Sequence, residues 1–247
     1  MNGRTRFLLL GGLLAGPFFT LAWFLGAIGR QDYSALRHPI SSLSIGSAGW
    51  TQTAAFLITG MLMLAFAVGV RGVFRPRGLS RWAAVFLAAA GVGLVGAGLF
   101  VTDPMNGYPP GTPLVPTDFT VPGRLHRAFS ALFFGGLPLS AFSFARWFSR
   151  QGHSTWATYS RASAWGFLAA FVVTTVAFLG VGGLDDMAGL LQRFTLVIGW
   201  AWVTLLAYHL QKIAPRDVEP PRDSEAGLAR EPGKRTALWP CQKAGAS

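Results

Sequence analysis

Six long apolar stretches constrain the fold of this chain more than any other feature of its sequence. They cover approximately residues 7–28, 51–70, 82–102, 128–145, 162–184 and 190–210. Crossing about 30 Å of hydrocarbon at 1.5 Å per residue takes about 20 helical residues, so each stretch is long enough to span a bilayer. None of them alternates polar and apolar residues as a membrane β-barrel strand does. Because backbone groups in lipid must be hydrogen-bonded internally, we predict an all-α bundle of six transmembrane helices.

Composition supports a membrane protein and argues against a nucleic-acid partner. The chain is 51% hydrophobic and 13% charged, whereas soluble domains are about 25% charged. The net charge of +11 would suggest nucleic-acid binding if the basic residues gathered on one folded face, but they lie in short loops and a tail. The single cysteine, Cys241, supports neither a disulfide framework nor a cysteine metal site. No cofactor is indicated.

The distribution of Lys and Arg predicts the orientation, because short cytoplasmic loops are enriched in these residues. One side would carry Arg4, Arg6, Arg71, Arg75, Arg77, Arg81, Arg146, Arg150, Arg161 and the seven basic residues that follow Gln211. The other side would carry only Arg30, Arg37, Arg124, Arg127 and Arg193. We therefore expect both termini in the cytoplasm, the first, third and fifth loops outside, and the protein in the cytoplasmic membrane.

The chain divides into a membrane domain and a tail. We assign residues 1–211 to the six-helix domain and predict that residues 212–247 form a disordered cytoplasmic tail, since this segment is rich in Pro, charged residues and Gly and lacks apolar periodicity. The first apolar stretch follows two arginines, as a signal peptide would, but it is too long and lacks a clear cleavage site, so we interpret it as a helix. The loop at residues 103–123 holds six prolines and cannot be helical through most of its length.

Residues able to do chemistry gather at the predicted outer ends of the helices. The candidate ligand-binding residues are Arg37, His38, Ser41, Ser42, Asp103, Arg124 and His126. Asp103 closes one predicted helix and His126 opens the next, so the hairpin would bring them close. For Asp185, Asp186 and Arg193 we favour helix capping and pairing over a ligand-binding role.

Several functions compete for this constellation. Ser41 or Ser42 as nucleophile, His126 as base and Asp103 as orienting acid would suit a membrane lipid hydrolase or transferase, although no G-x-S-x-G motif is present. His38, His126 and Asp103 are of types that bind zinc, but no paired-histidine spacing supports a metal site, and none is predicted.

The favoured interpretation is an outward-facing pocket for a membrane lipid headgroup or a small polar ligand, with Arg37 and Arg124 as anion clamps. The residues could also simply cap helix ends and pair with one another. A facilitative exporter or an accessory subunit is a further alternative. An ion-coupled transporter is disfavoured because no charged residue lies deep in a predicted span.

Three short motifs resemble a known family. They are Asp32-Tyr33 followed by His38-Pro39-Ile40-Ser41-Ser42-Leu43-Ser44, then Phe100-Val101-Thr102-Asp103-Pro104, then Gly123-Arg124-Leu125-His126. In this order they resemble the prokaryotic six-helix membrane family called domain of unknown function 998, over residues 6–210. That family has Ser-Leu-Gly after its first helix, whereas here Ser44 follows Leu43 and the glycine is Gly46.

The resemblance implies a helical bundle in the cytoplasmic membrane and no established activity. The layout is more distantly similar to eukaryotic membrane proteins of autophagy modulation and GPI-anchor remodelling, which would imply lipid handling.

Overall fold

A computed structural model describes residues 3–214 and contains the six predicted helices. They are α1 (Gly3–Ala27), α2 (Trp50–Phe74), α3 (Arg81–Leu99), α4 (Val121–Arg150), α5 (Ser154–Phe178) and α6 (Ala188–Ile213). All six are long and apolar enough to cross a membrane, which confirms the predicted all-α membrane bundle. Within the described range no strand occurs, and the one β-bridge joins Met105 to Tyr108. The predicted tail lies outside the described residues except for residues 212–214.

The six helices are arranged as a ring. Each helix packs against its neighbours in the chain, and α6 closes the ring by packing against α1. Glycines allow close approach: a Cβ on Gly93 would lie 2.6 Å from the carbonyl oxygen of Phe129, and one on Gly60 would lie 2.8 Å from that of Gly91. Small residues at such contacts are a common basis of helix association in lipid.

Aromatic side chains fill the interior of the ring. Phe19 lies 5.5 Å from Phe56 and 5.6 Å from Trp200 between ring centroids, and Phe133 lies 5.5 Å from Trp200. All four side chains are buried, and their tilted geometry is one that aromatic pairs favour. We call these four residues the central aromatic cluster.

Several helix boundaries differ from the predicted spans, and two of these differences have clear local causes. Helix α4 begins at Val121 instead of near residue 128, because the Thr120 hydroxyl caps it by accepting a hydrogen bond from the Gly123 N–H at 3.1 Å. Helix α5 ends at Phe178 instead of residue 184, since Gly180 has a φ of +71° and starts a glycine-rich turn. An average of hydropathy detects neither the Thr120 cap nor the left-handed Gly180.

The loops divide the bundle into two ends. Residues 28–49, 100–120 and 179–187 lie at one end, which we call the first-loop face. Residues 75–80 and 151–153 lie at the other, which we call the second-loop face. The first-loop face carries the candidate site.

Candidate functional site

The three loops of the first-loop face are hydrogen-bonded to one another. Asn106 is fully buried, and its Nδ2 donates to the carbonyl oxygens of Arg37 at 3.2 Å and Asp185 at 3.4 Å. Arg30 Nε donates to the Tyr108 hydroxyl at 3.1 Å, and its Nη2 donates to the Leu43 carbonyl at 2.9 Å. The first, third and fifth loops therefore form one ordered cap over the helices.

The first loop is also bound directly to α6. The Gly189 N–H donates to the Arg37 carbonyl at 3.1 Å, and the Ile40 N–H donates to Gln192 Oε1 at 2.8 Å. Gly189 has no room for a side chain, because a Cβ there would lie 2.6 Å from the His38 carbonyl oxygen. The first contact satisfies a backbone N–H in the first turn of α6 that has no intrahelical partner, and the second satisfies a backbone N–H of the first loop.

A cavity of about 390 Å³ lies beneath this cap, where α4, α5 and α6 meet. Its polar lining comprises Ser41, Thr102, Asp103, His126, Arg127, Ser130, Thr174, Thr175 and Gln192. We call the end nearest the loops, which holds Asp103, His126 and Arg127, the polar end. Its opposite wall is apolar and includes Phe134, Phe171, Phe178 and Leu179. The rings of Phe134 and Phe171 are stacked with centroids 4.4 Å apart. The cavity is thus amphipathic, with its charged and titratable groups at the polar end and aromatic rings and hydroxyl groups along the rest of its lining.

A smaller cavity of about 50 Å³ extends the same space toward the interior of the ring. Ser41, His126 and Gln192 line both spaces, which places them at the junction. The deep end of the smaller cavity is formed by Phe19 and other members of the central aromatic cluster.

His126 is oriented by the C-terminal end of α3. Its Nδ1 lies 2.9 Å from the Ala97 carbonyl oxygen and 2.8 Å from that of Phe100. Because both partners can only accept, Nδ1 carries the proton, and the neutral ring presents its Nε2 lone pair. His126 lines both cavities, and within residues 3–214 no hydrogen bond to Nε2 is found. A neutral His126 ring therefore offers the cavity a proton acceptor in a fixed orientation.

Asp103 is held by the N-terminus of α4. Its Oδ1 accepts hydrogen bonds from the Thr120 hydroxyl at 2.6 Å and the Thr120 N–H at 3.4 Å. The residue is 9% exposed, and its Oδ2 is buried without a partner in the described part of the chain. A negative charge is favoured here by the helix dipole. Asp103 thus shares the cavity with His126 but is oriented by Thr120.

The two candidate serines occupy different environments. Ser41 is partly exposed and lines both cavities, whereas Ser42 is fully buried and lines neither. Of the two hydroxyls, only that of Ser41 belongs to the site. The hydrogen bonds found among the described residues do not join Ser41 to His126.

The two arginines expected to clamp an anion lie outside both cavities. Arg37 pairs with Asp186 at 3.4 Å and with Asp185 at 3.9 Å. Arg124 is exposed, and its Nη1 donates to the Phe119 carbonyl at 2.7 Å. The structure therefore uses Arg37 to join the first and fifth loops and Arg124 to support the start of α4.

His38 also lies outside the cavities and supports the first loop. Its Nδ1 accepts a hydrogen bond from the Ser34 N–H at 2.9 Å, and its ring lies 5.2 Å from that of Tyr108. Burial and the neighbouring Arg37 lower the pKa of His38 below its usual value. A neutral imidazole is what this contact requires, since a protonated Nδ1 cannot accept. Among residues 3–214 no cluster of three metal-ligating side chains occurs.

Arg193 is buried, although it lies near the start of α6. Its Nη1 donates to the carbonyls of His38 at 3.1 Å and Gly189 at 2.8 Å, and its Nη2 donates to the Tyr33 hydroxyl at 2.7 Å. The guanidinium also lies 4.6 Å from the Trp23 ring. Burial raises the pKa of Tyr33, against the opposing effect of the Arg193 charge. Arg193 therefore holds the first loop on the bundle and does not pair with Asp185 or Asp186.

Sequence reasoning assigned no role in ligand binding to two residues of the polar end, Arg127 and Gln192. The Arg127 guanidinium lies 4.0 Å from the centroid of the Phe119 ring at the cavity rim. Helical spacing places Arg127, Ser130 and Phe134 on one face of α4. This pattern is readable once α4 is known to begin at Val121, but not from a span that begins at residue 128.

The fold and this cavity define a multi-pass membrane protein with an amphipathic cavity beneath one loop-covered face. The family model described as protein of unknown function (DUF998) matches residues 13–209, and the chain belongs to that family. The match runs from within α1 to within α6 and confirms the resemblance seen in the three motifs. Comparisons with curated proteins and with solved structures give no significant match.

Proposed function

We propose that this protein binds an amphipathic membrane lipid in the cavity of the first-loop face. The observation that carries the proposal is that one cavity of about 390 Å³ combines charged and titratable groups at its polar end with an aromatic wall. Its size falls in the range of about 300–1,000 Å³ that ligand sites occupy. The lipid headgroup would contact His126 and Arg127, and an acyl chain would lie against Phe134 and Phe171.

The chemistry of the polar end suits a headgroup with both a donor and a negative charge. His126 Nε2 accepts a hydrogen bond from a ligand hydroxyl or amine, because the Ala97 and Phe100 carbonyls hold the proton on Nδ1. Arg127 supplies a charge-assisted hydrogen bond to an anionic oxygen. Ser41 adds a hydroxyl at the junction of the two cavities.

Orientation is part of the proposal: the first-loop face lies on the outer side of the cytoplasmic membrane. The five acidic residues among residues 3–214 all belong to loops of this face, whereas the second-loop face is basic. Ser47→Cys in the first loop and Ser149→Cys at the end of α4 are both exposed positions suited to labelling in a Cys241→Ala background. An impermeant maleimide on intact cells should label only Ser47→Cys; labelling of Ser149→Cys alone contradicts the orientation.

Binding can be tested by native mass spectrometry of the protein in mild detergent with a lipid extract. Ala131 lines the cavity from an exposed position on α4, so Ala131→Trp fills the space without removing a polar group. We expect the wild type to retain a lipid and Ala131→Trp to lose it. Arg127→Ala should weaken retention about tenfold, as expected for one charge-assisted hydrogen bond. Arg124→Ala is the matched control, because Arg124 is exposed on the same helix but lies outside the cavity.

Two results contradict the proposal. One is a wild-type protein that retains no lipid. The other is equal retention by the wild type and Ala131→Trp.

A second candidate function, a lipid hydrolase or transferase, is favoured by the shared cavity of Ser41 and His126. The Ser41 Oγ would attack a lipid ester carbonyl and transfer its proton to His126 Nε2, which would pass that proton to the alcohol that leaves as the ester C–O bond breaks. Water or a second lipid hydroxyl would then take the acyl group from Ser41. The Ala97 and Phe100 carbonyls would orient the imidazole, a role that a carboxylate has in a Ser-His-Asp triad. Incubation with phospholipid vesicles should then yield free fatty acid or an acyl-transfer product.

The two neighbouring serines provide a matched comparison for this reaction. Ser41→Ala and His126→Ala should abolish product formation, while Ser42→Ala should leave it intact, because the Ser42 hydroxyl is buried without a partner in the described residues. Lipid retention without product in the wild type would leave binding as the function and exclude the enzyme.

A further inference from the structure

A second polar cavity, of about 540 Å³, opens on the second-loop face between the start of α3 and the end of α4. Arg146 and Arg150 line it, and their spacing of four residues places both guanidinium groups on the same side of α4. Ser80 and Ser143 add hydroxyl groups to the lining. This cavity lies at the opposite end of the bundle from the site that contains His126.

The electrostatic environment of this cavity is positive. The acidic residues among residues 3–214 are Asp32, Asp103, Asp118, Asp185 and Asp186, and all belong to the first-loop face. Both arginines are exposed, and neither guanidinium group has a hydrogen bond or an ion pair with a side chain or backbone group of the described residues. Two cations directed at one cavity without a carboxylate nearby suit an anion with several acceptor oxygens.

The start of α3 adds to this potential. Ser80 caps the helix by accepting a hydrogen bond from the Trp82 N–H at 3.3 Å, so the N-terminal end of the helix dipole lies at the cavity. The helix end and the two arginines are independent contributions of the same sign. Together they favour a phosphate over a carboxylate, since a phosphate can accept from both arginines at once.

An apolar track leads away from the charged part of the cavity along α3. The rings of Trp82 and Phe86 are stacked with centroids 5.9 Å apart, and both line the cavity. On the other side, Trp147 is fixed by a hydrogen bond from its Nε1 to the Arg77 carbonyl at 3.0 Å. Tryptophans at the ends of spanning helices lie at the level of lipid headgroups. The occupant therefore combines a phosphate with an apolar chain.

We propose that this cavity binds the phosphate of an anionic phospholipid, with Arg146 and Arg150 on the phosphate and the acyl chains along Trp82 and Phe86. The site is separate from the first-loop cavity and does not depend on the function proposed for it.

The test uses native mass spectrometry of the full chain with equimolar phosphatidylglycerol and phosphatidylcholine of identical acyl chains. The wild type should retain more phosphatidylglycerol than phosphatidylcholine. The double variant Arg146→Gln/Arg150→Gln should reduce that ratio about tenfold or more, in line with the usual attraction per basic residue. Arg71→Gln/Arg161→Gln is the matched control: it removes the same charge from exposed positions outside the cavity and should keep the wild-type ratio.

Further measurements identify the source of the phosphate and provide a control for misfolding. Inorganic phosphate at a large excess should not displace the lipid; if it does, the site binds free phosphate and the proposal is wrong. Arg146→Lys/Arg150→Lys keeps the charge but not the bidentate geometry, and should give an intermediate ratio if the double Gln variant fails to fold. The two Gln double variants are also compared in an Ala131→Trp background, where the first-loop cavity is filled and the retained lipid reports on this site alone. Equal loss in the two Gln double variants, or no preference in the wild type, overturns the proposal.

Discussion

Replacing Gly123 by alanine should destabilise the protein, although alanine is the better helix former. A Cβ at this position would lie 1.8 Å from Asp103 Oδ2 and 2.3 Å from Asp103 Cγ, well inside an ordinary contact distance of about 3.5 Å. The carboxylate must therefore leave its place against the first turn of α4.

The magnitude follows from two opposing contributions. Gly→Ala in a helix gains up to about 1 kcal/mol of stability. Displacing the carboxylate breaks its 2.6 Å hydrogen bond from the Thr120 hydroxyl, and a hydrogen bond to a charged group contributes about 1.5–3 kcal/mol. We expect Gly123→Ala to lower the free energy of unfolding by about 0.5–2 kcal/mol, the difference between these contributions.

A double-mutant cycle isolates the clash. Unfolding is followed by circular dichroism in mixed micelles with a rising fraction of dodecyl sulfate, for the wild type, Gly123→Ala, Asp103→Ala and the double variant. In the Asp103→Ala background the clash is absent, so Gly123→Ala should become neutral or stabilising. The coupling energy should be roughly 1.5–3 kcal/mol, the energy of the lost hydrogen bond.

The sign of the change in unfolding free energy tests whether Asp103 packs against α4. If Gly123→Ala stabilises the wild-type background, or has the same effect in both backgrounds, Asp103 is not packed against the first turn of α4 and the polar end of the cavity is wrongly described.

Contacts of the first-loop face allow further tests by the same unfolding measurement. Because the pKa of His38 is lowered in the folded state, the unfolded chain binds the proton first, so the free energy of unfolding should fall as pH drops below about 6.5. His38→Gln should reduce this pH dependence, and an unchanged slope would contradict the role given to His38. Asn106→Ala should lower the free energy of unfolding by about 1–3 kcal/mol, because the amide contacts are lost. Asn106→Gly should lower it by about 1 kcal/mol less, because the residue has a φ of +56°; equal losses would show that this backbone conformation does not matter for stability. Arg193→Lys keeps the charge, but a lysine cannot bond both the Tyr33 hydroxyl and the two carbonyls, so the free energy of unfolding should fall by about 1–3 kcal/mol. An unchanged free energy of unfolding would show that the several hydrogen bonds of the guanidinium do not stabilise the fold.

The helices were predictable because spanning a bilayer depends on a sum of local hydropathies. Each of the six apolar stretches contains most of one observed helix. Two of the boundary errors lie where a single residue outweighs the average hydropathy. The cap at Thr120 starts α4 early, and the left-handed Gly180 ends α5 early. A closer reading of caps and glycines would recover both boundaries.

The candidate site was predictable only in part. Asp103, His126 and Ser41 were expected near one another, and the structure places all three at one cavity. Arg37 and His38 belong to the same polar stretch as Ser41, yet their side chains serve loop contacts. Sequence proximity identified a loop that reaches the cavity but not which of its side chains line that cavity.

The sequence by itself determined that this is a six-helix membrane protein whose polar residues gather at one end, since hydropathy and charge act along the chain. Only the tertiary structure decided the partners of each polar group. His126 is bonded to the Ala97 and Phe100 carbonyls and not to Asp103, which is held by Thr120. Such choices depend on distances of a few tenths of an ångström between segments far apart in the chain, and the packing of the helix ring sets those distances.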